Sequence, residues 1–136
     1  MWSHLYGYYE IRGAADYSIS VGTEIMLAIL DGFSELKRTG LISYENAIGY
    51  PWISLSLVKS RNGNYSVAPE TWDSEFTMIP IVCSKSENGK VPVAQVGLLM
   101  RIAEILNWEL IDEETDESDE KVILYNPSCE LIACLV

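Results

Sequence analysis

Ile53-Ser54-Leu55-Ser56-Leu57 is the stretch from which the fold can be read. Apolar and polar residues alternate strictly, and successive side chains of a strand point to opposite faces. One face of this strand is therefore buried and the other is wet. Towards the C-terminus, Asn62-Gly63 suits the positive φ angles of a type I′ turn, so Tyr65 to Val67 should return antiparallel. Phe76 to Cys83 reads as a third strand, and Pro80 within it favours an edge or a bulge. Asn88-Gly89 marks a second turn. Beyond it, Trp108 to Ile111, Val122 to Tyr125 and Leu131 to Leu135 read as further strands, as does the aromatic-rich Leu5 to Ile11.

Two segments carry helical spacing instead. The first starts near Thr23, read as the N-cap, with Glu24 in the first turn where the helix dipole favours an acid. Met26, Ile29, Leu30, Phe33 and Leu36 follow at that spacing, then Lys37 and Arg38 as a last turn and Gly40 as the stop. The second runs from about Pro92, suited to the first helical position, to Leu106. Val96, Leu99, Ile102, Ala103 and Leu106 form its stripe, widened by Leu98, Met100 and Ile105, which predicts burial on more than one side. The fold expected is one α+β domain over residues 1–136. Its sheet is mainly antiparallel, and two amphipathic helices pack on one face, with Leu99 and Phe33 among the most buried residues.

A chain of 136 residues that is 49% hydrophobic can fold around its own core without staples. It has 20 acidic and only nine basic residues, and the basic ones are scattered, which argues against nucleic acid as a partner. The N-terminus shows neither a basic nor an apolar leader region, and no apolar stretch approaches the length of a spanning helix. A cytoplasmic protein that does not bind membranes is the expectation. Cys83, Cys129 and Cys134 are odd in number and lack metal or disulfide spacing, so they read as buried small hydrophobes in a reducing compartment.

The residues for common chemistries are missing or misplaced. His4 is the one histidine, at the terminus, which is poor for a Ser-His or Cys-His pair. The glycines form no phosphate-binding fingerprint. Asp112, Glu114, Asp116, Ser118 and Glu120 fall at alternate positions, like the start of a calcium loop. The sixth position, where that loop needs glycine, is Glu117, and the twelfth, where it needs glutamate, is Ile123. No catalytic residue, metal or cofactor is therefore expected, and the protein reads as a non-enzyme.

Charge and aromatics point to a partner. Seven of the nine residues from Asp112 to Glu120 are carboxylates: Asp112, Glu113, Glu114, Asp116, Glu117, Asp119 and Glu120. Such a run stays extended and hydrated, here as an exposed connection between two strands. Its field reaches roughly 8 Å in physiological salt and attracts basic protein surfaces. A second group holds Tyr44, Glu45, Tyr50 and Trp52 before the alternating strand, and Glu70, Trp72, Asp73 and Glu75 after it. Tyrosine and tryptophan among carboxylates suit a contact with a basic protein, through Tyr44, Tyr50, Glu70, Trp72 and Asp73 above all. The competing reading makes the tryptophans caps of the core and the acids solvated loop residues.

Residues 96–125 place a helix ending in tryptophan, Val96 to Trp108, directly before a strand running into acids, Glu109-Leu110-Ile111-Asp112-Glu113-Glu114. With the size and acidity, this resembles the small immunity proteins that protect bacteria from their own polymorphic or contact-dependent toxins. The resemblance covers about a quarter of the chain and carries over no binding residues. It implies a non-enzymatic inhibitor of a toxin domain, frequently a nuclease, bound in the producing cell's cytoplasm. An adaptor or assembly subunit is the main alternative, and a small ligand-binding protein or enzyme with an unrecognised pocket is another.

Overall fold

The computed structural model describes residues 5–13, 18–60, 73–86, 89–113 and 122–125. In chain order these form β1 (Tyr6–Arg12), β2 (Val21–Gly22), α1 (Thr23–Asp31), β3 (Leu36–Arg38), β4 (Ser43–Asn46), β5 (Ile53–Ser56), β6 (Glu75–Phe76), β7 (Met78–Ser84), α2 (Val93–Leu106), β8 (Glu109–Asp112) and β9 (Val122–Tyr125). Seven strands make one sheet in the order β3-β4-β5-β7-β1-β8-β9, and β2 pairs with β6 beside it. Every pairing is antiparallel. The expected α+β fold is the one formed.

Register explains the two faces. Tyr44, Leu55, Ile81 and Tyr9 are successive partners across four strands, and all are buried. Ile79, Ile11 and Leu110 form a second buried row. The alternate positions face the other way. There the Ser43 and Ser56 hydroxyls meet at 2.8 Å, and Arg12 donates to Glu109 at 2.6 Å and to Glu10 at 3.4 Å. Within β5 this is the split that the alternation in Ile53–Leu57 required, whereas the paired Glu10 and Ile111 are buried on that other face as well.

Both helices cover the apolar face. Met26, Leu27 and Leu30 of α1 and Leu98, Leu99, Ile102 and Ala103 of α2 join the sheet residues in one apolar cluster. Gly7 permits the close approach of the lead-in to α2: a Cβ there would lie 2.6 Å from Val91 Cγ2. Asn107, in the left-handed conformation, ends α2 and turns the chain into β8, and Trp108 packs on Phe76 at a centroid distance of 5.3 Å. Cys83 is buried at the end of the core, and burial pushes its thiol up to about 12, so it behaves as the small hydrophobe expected. Cys129, Cys134 and His4, the proposed strands 65–67 and 131–135, and the Asn62-Gly63 turn lie outside the described residues.

Several local expectations are corrected. The N-cap is Gly22, and Thr23 is already helical and buried. Helix α1 ends at Asp31, where the Gly32 N–H bonds back to the Ile29 carbonyl and the Phe33 N–H to the Leu30 carbonyl. Leu36, Lys37 and Arg38 are not its last turns but the edge strand β3, paired with Asn46, Glu45 and Tyr44. The apolar period ran on through Gly32 because Leu36 is buried by the sheet rather than by the helix. Pro92 is the N-cap of α2 rather than its first residue. Phe33 is only partly buried, under the Arg101 guanidinium at 5.4 Å, whereas Leu99 is fully buried.

Pro80 lies in an interior strand, between β5 and β1. The register from Leu55↔Ile81 to the isolated bridge Val58↔Met78 puts it opposite Ser56. Its missing N–H interrupts the β5–β7 ladder at that point, so proline is accommodated inside the sheet by a gap rather than at an edge.

Candidate protein-binding surface

The antiparallel order gathers particular chain segments at each end of the sheet. At one end lie the α1–β3 connection, the β4–β5 turn, the end of β7, the start of β1, the end of β8 and the start of β9. Asp112 is the last residue of β8 and pairs with Tyr9 and Val122, and the Glu113 N–H donates to the Tyr8 carbonyl at 2.9 Å. The first two residues of the acidic run, Asp112 and Glu113, thus lie beside the start of β1. Three strand spacings separate β8 from β5, so the run departs roughly 14 Å from the β4–β5 turn.

That turn, residues 47–52, is fixed by its own hydrogen bonds. The Ala47 N–H donates to the Glu35 carbonyl at 2.9 Å and the Tyr50 N–H to the Ala47 carbonyl at 3.2 Å. The Asn46 amide donates to the carbonyls of Ala47 and Tyr50 at 3.3 and 3.1 Å. Gly49 adopts φ +92°, a conformation that side chains disfavour. Buried Gln95 on α2 donates from Nε2 to the Pro51 carbonyl at 2.7 Å, and the Ser84 N–H donates to the Trp52 carbonyl at 3.1 Å. The turn presents Ile48, 96% exposed, with half-exposed Tyr50 and Trp52. The Trp52 ring meets Tyr6 edge-on at 5.6 Å, and exposed Leu5 continues the patch. Lys85 and Lys90 lie at this end too, where the Lys85 N–H donates to the Leu5 carbonyl and the Lys90 carbonyl accepts from the Ser86 N–H.

The structure separates the residues that the sequence grouped. Tyr50, Asp112 and Glu113 share this end. Tyr44 does not belong to any surface: it is fully buried, and its hydroxyl donates to Asp31 Oδ1 at 2.6 Å and to the Leu27 carbonyl at 3.1 Å. Burial and the Asp31 carboxylate together push its phenol well above the usual range. Tyr44 faces inward because β4 pairs with β5 in the register that aligns it with Leu55. Asp73 sits at the opposite end, where Oδ1 accepts the Glu75 N–H at 3.1 Å and lies 3.8 Å from Lys59 Nζ. Glu70, Trp72, Glu114, Asp116, Glu117, Asp119 and Glu120 lie outside the described residues. Trp52, which could have capped the core, is half exposed.

Sequence reasoning missed Ile48. A lone isoleucine next to Gly49 between two strands was the available signal: an apolar residue in a tight turn has no core to enter. It also missed the Glu10–Arg12–Glu109 group, whose carboxylates are 99 positions apart in sequence and meet on one guanidinium. Glu10 Oε2 and Glu109 Oε1 each accept from Arg12, which ties β1 to β8. Among the described residues, no group of three or more His, Cys, Asp or Glu side chains is placed to hold a metal ion, and no helix is long and apolar enough to cross a membrane. No protein-family model matches the chain, and neither a curated protein nor a solved structure matches it significantly.

Proposed function

We propose that this protein is a non-enzymatic, stoichiometric inhibitor. It binds a basic domain of a cognate bacterial toxin, for example a nuclease, in the cytoplasm of the producing cell. The observation that carries the protein-binding part is the meeting of two features at one end of the sheet: the departure point of the acidic run and an exposed patch around Tyr50 and Trp52. The toxin as partner rests on the resemblance of residues 96–125 to immunity proteins. The two features divide the work. Clustered carboxylates steer a basic partner and raise the association rate. Apolar and aromatic side chains provide the short-range contacts that slow dissociation.

Affinity capture from the native cell, with mass spectrometry, identifies the partner. Adding the protein to that partner should then abolish the partner's toxic activity at a one-to-one ratio. Replacing Glu113, Glu114, Asp116 and Glu117 with Gln or Asn should slow association at low salt, with a smaller effect at high salt, where the field is screened. Folding stability should hold or rise, because the run repels itself. A captured partner whose activity is unchanged by stoichiometric complex formation would replace inhibition with an adaptor role. An association rate indifferent to the four substitutions would reduce the run to a solubilising loop.

A further inference from the structure

We infer that the β4–β5 turn is the anchor of this surface and that Ile48 enters an apolar pocket bordered by Lys or Arg side chains on a protein partner. The inference rests on the binding function proposed above and assigns its short-range contact.

Ile48 is the most exposed large apolar residue among those described, at 96%. An isolated exposed isoleucine would be unremarkable on a loose loop. This one stands on a turn held from three sides: by the Glu35 carbonyl, by Gln95 of α2 and by Ser84 of β7. Asn46 and Gly49 close the turn from within. A side chain held out this way loses little conformational freedom on docking, which is what an anchor requires. Tyr50, Trp52, Tyr6 and Leu5 extend the apolar area beside it. No packing reason requires isoleucine at this position, since almost none of its surface is covered by the fold.

Charge chooses the occupant. A second copy of the chain would bring two proteins of net charge −11, each with Asp112 and Glu113 at this end, to the same contact. Like charges brought together at an interface oppose association. A basic protein gains from the same field. A pocket lined with apolar side chains and rimmed by Lys or Arg would match Ile48 at its centre and Asp112 and Glu113 at its edge.

The test uses the full chain in the producing cell. The photoreactive probe p-benzoylphenylalanine is placed at position 48, or at position 73 at the opposite end of the sheet as a control. Crosslinking to one basic protein from position 48, and not from 73, is the expected result. Ile48→Asp should then raise the dissociation rate of that partner about tenfold or more. Its association rate and thermal midpoint should stay near those of the parent, and Ile48→Ala should show a smaller rise. Crosslinking from position 73 alone would overturn the anchor and leave the binding function standing. So would unchanged dissociation in Ile48→Asp while the carboxylate-neutralised variant still associates slowly. A crosslink to a second copy, with dimers in sedimentation, would overturn the choice of occupant. Absence of any protein partner from both positions and from affinity capture would sink the anchor and the binding function together.

Discussion

Tyr44 and Tyr50 are the same residue six positions apart, and the fold gives them opposite uses. Tyr44 is in the middle of β4, aligned with Leu55 on one side and Arg38 on the other. Its ring lies under α1 and its hydroxyl ties that helix to the sheet through Asp31 and Leu27. Tyr50 follows the strand, in a turn whose backbone is closed by Asn46, and its ring stays half in solvent. Composition marks both as interface residues. Strand register assigns one to the core, because a slip of a single residue sends a side chain to the other face.

The comparison can be broken most decisively at Tyr44. Tyr44→Ala should cost about 3–5 kcal/mol, the range for emptying a buried aromatic site. Thermal or denaturant unfolding would measure it, and a change under 1 kcal/mol would show that the ring does not hold α1 to the sheet. Leu99→Ala, at the centre of α2, should fall at about 2–5 kcal/mol and provides the scale for a core residue without a hydroxyl.

Tyr44→Phe isolates the hydroxyl. Asp31 is half exposed and can recover water, so the loss should be about 1 kcal/mol. A loss as large as that of Tyr44→Ala would mean that the tie to Asp31, rather than the ring, accounts for the stability.

A smaller effect is expected where α2 meets the α1–β3 connection. The Arg101 guanidinium donates to Glu35, and this hydrogen bond holds the Glu35 carboxyl below its usual range. A lowered pKa contributes stability above the unfolded value of glutamate, and that contribution is lost as pH falls through the folded value. Arg101 is half exposed, so Arg101→Gln should cost about 0–1 kcal/mol near neutrality. The gap in thermal midpoint between parent and variant should narrow below about pH 4. A gap that widens in acid would contradict the assignment.

Tyr50→Ser sits at the bottom of the order for stability, within about 0.5 kcal/mol, as surface changes usually are. It should nevertheless weaken partner binding, which no substitution at Tyr44 can do without first weakening the fold. Unchanged affinity together with unchanged stability would remove Tyr50 from the surface.

The sheet was legible wherever a segment alternated or ended in a clear turn. Ile53 to Leu57, Phe76 to Cys83 and Trp108 to Ile111 all read as strands; the structure forms Ile53–Ser56, Met78–Ser84 and Glu109–Asp112 there and moves Phe76 into the separate strand β6, while α2 carried enough apolar residues to be unmistakable. The errors cluster between Gly32 and Asn46. Leu36–Arg38 is three residues long, too short for a period of two to outweigh an apparent helical one. Ser43–Asn46 presents one buried residue, Tyr44, between polar ones, so its pattern resembles a loop. Both become strands through hydrogen bonds to each other and to β5, contacts that no local pattern encodes.

For the surface, the chain order alone determined that a block of carboxylates would connect two strands and that aromatics would flank β5. Charge repulsion and side-chain alternation act over a few residues, so such features are visible in sequence. Which of those residues share a surface was decided only by the tertiary structure. The order β5-β7-β1-β8 brings Asp112 and Glu113 to the end that carries Tyr50 and Ile48, and leaves Asp73 at the other. Strand order is set by which apolar rows complete a common core beneath the helices, a property of pairings between residues far apart in the chain.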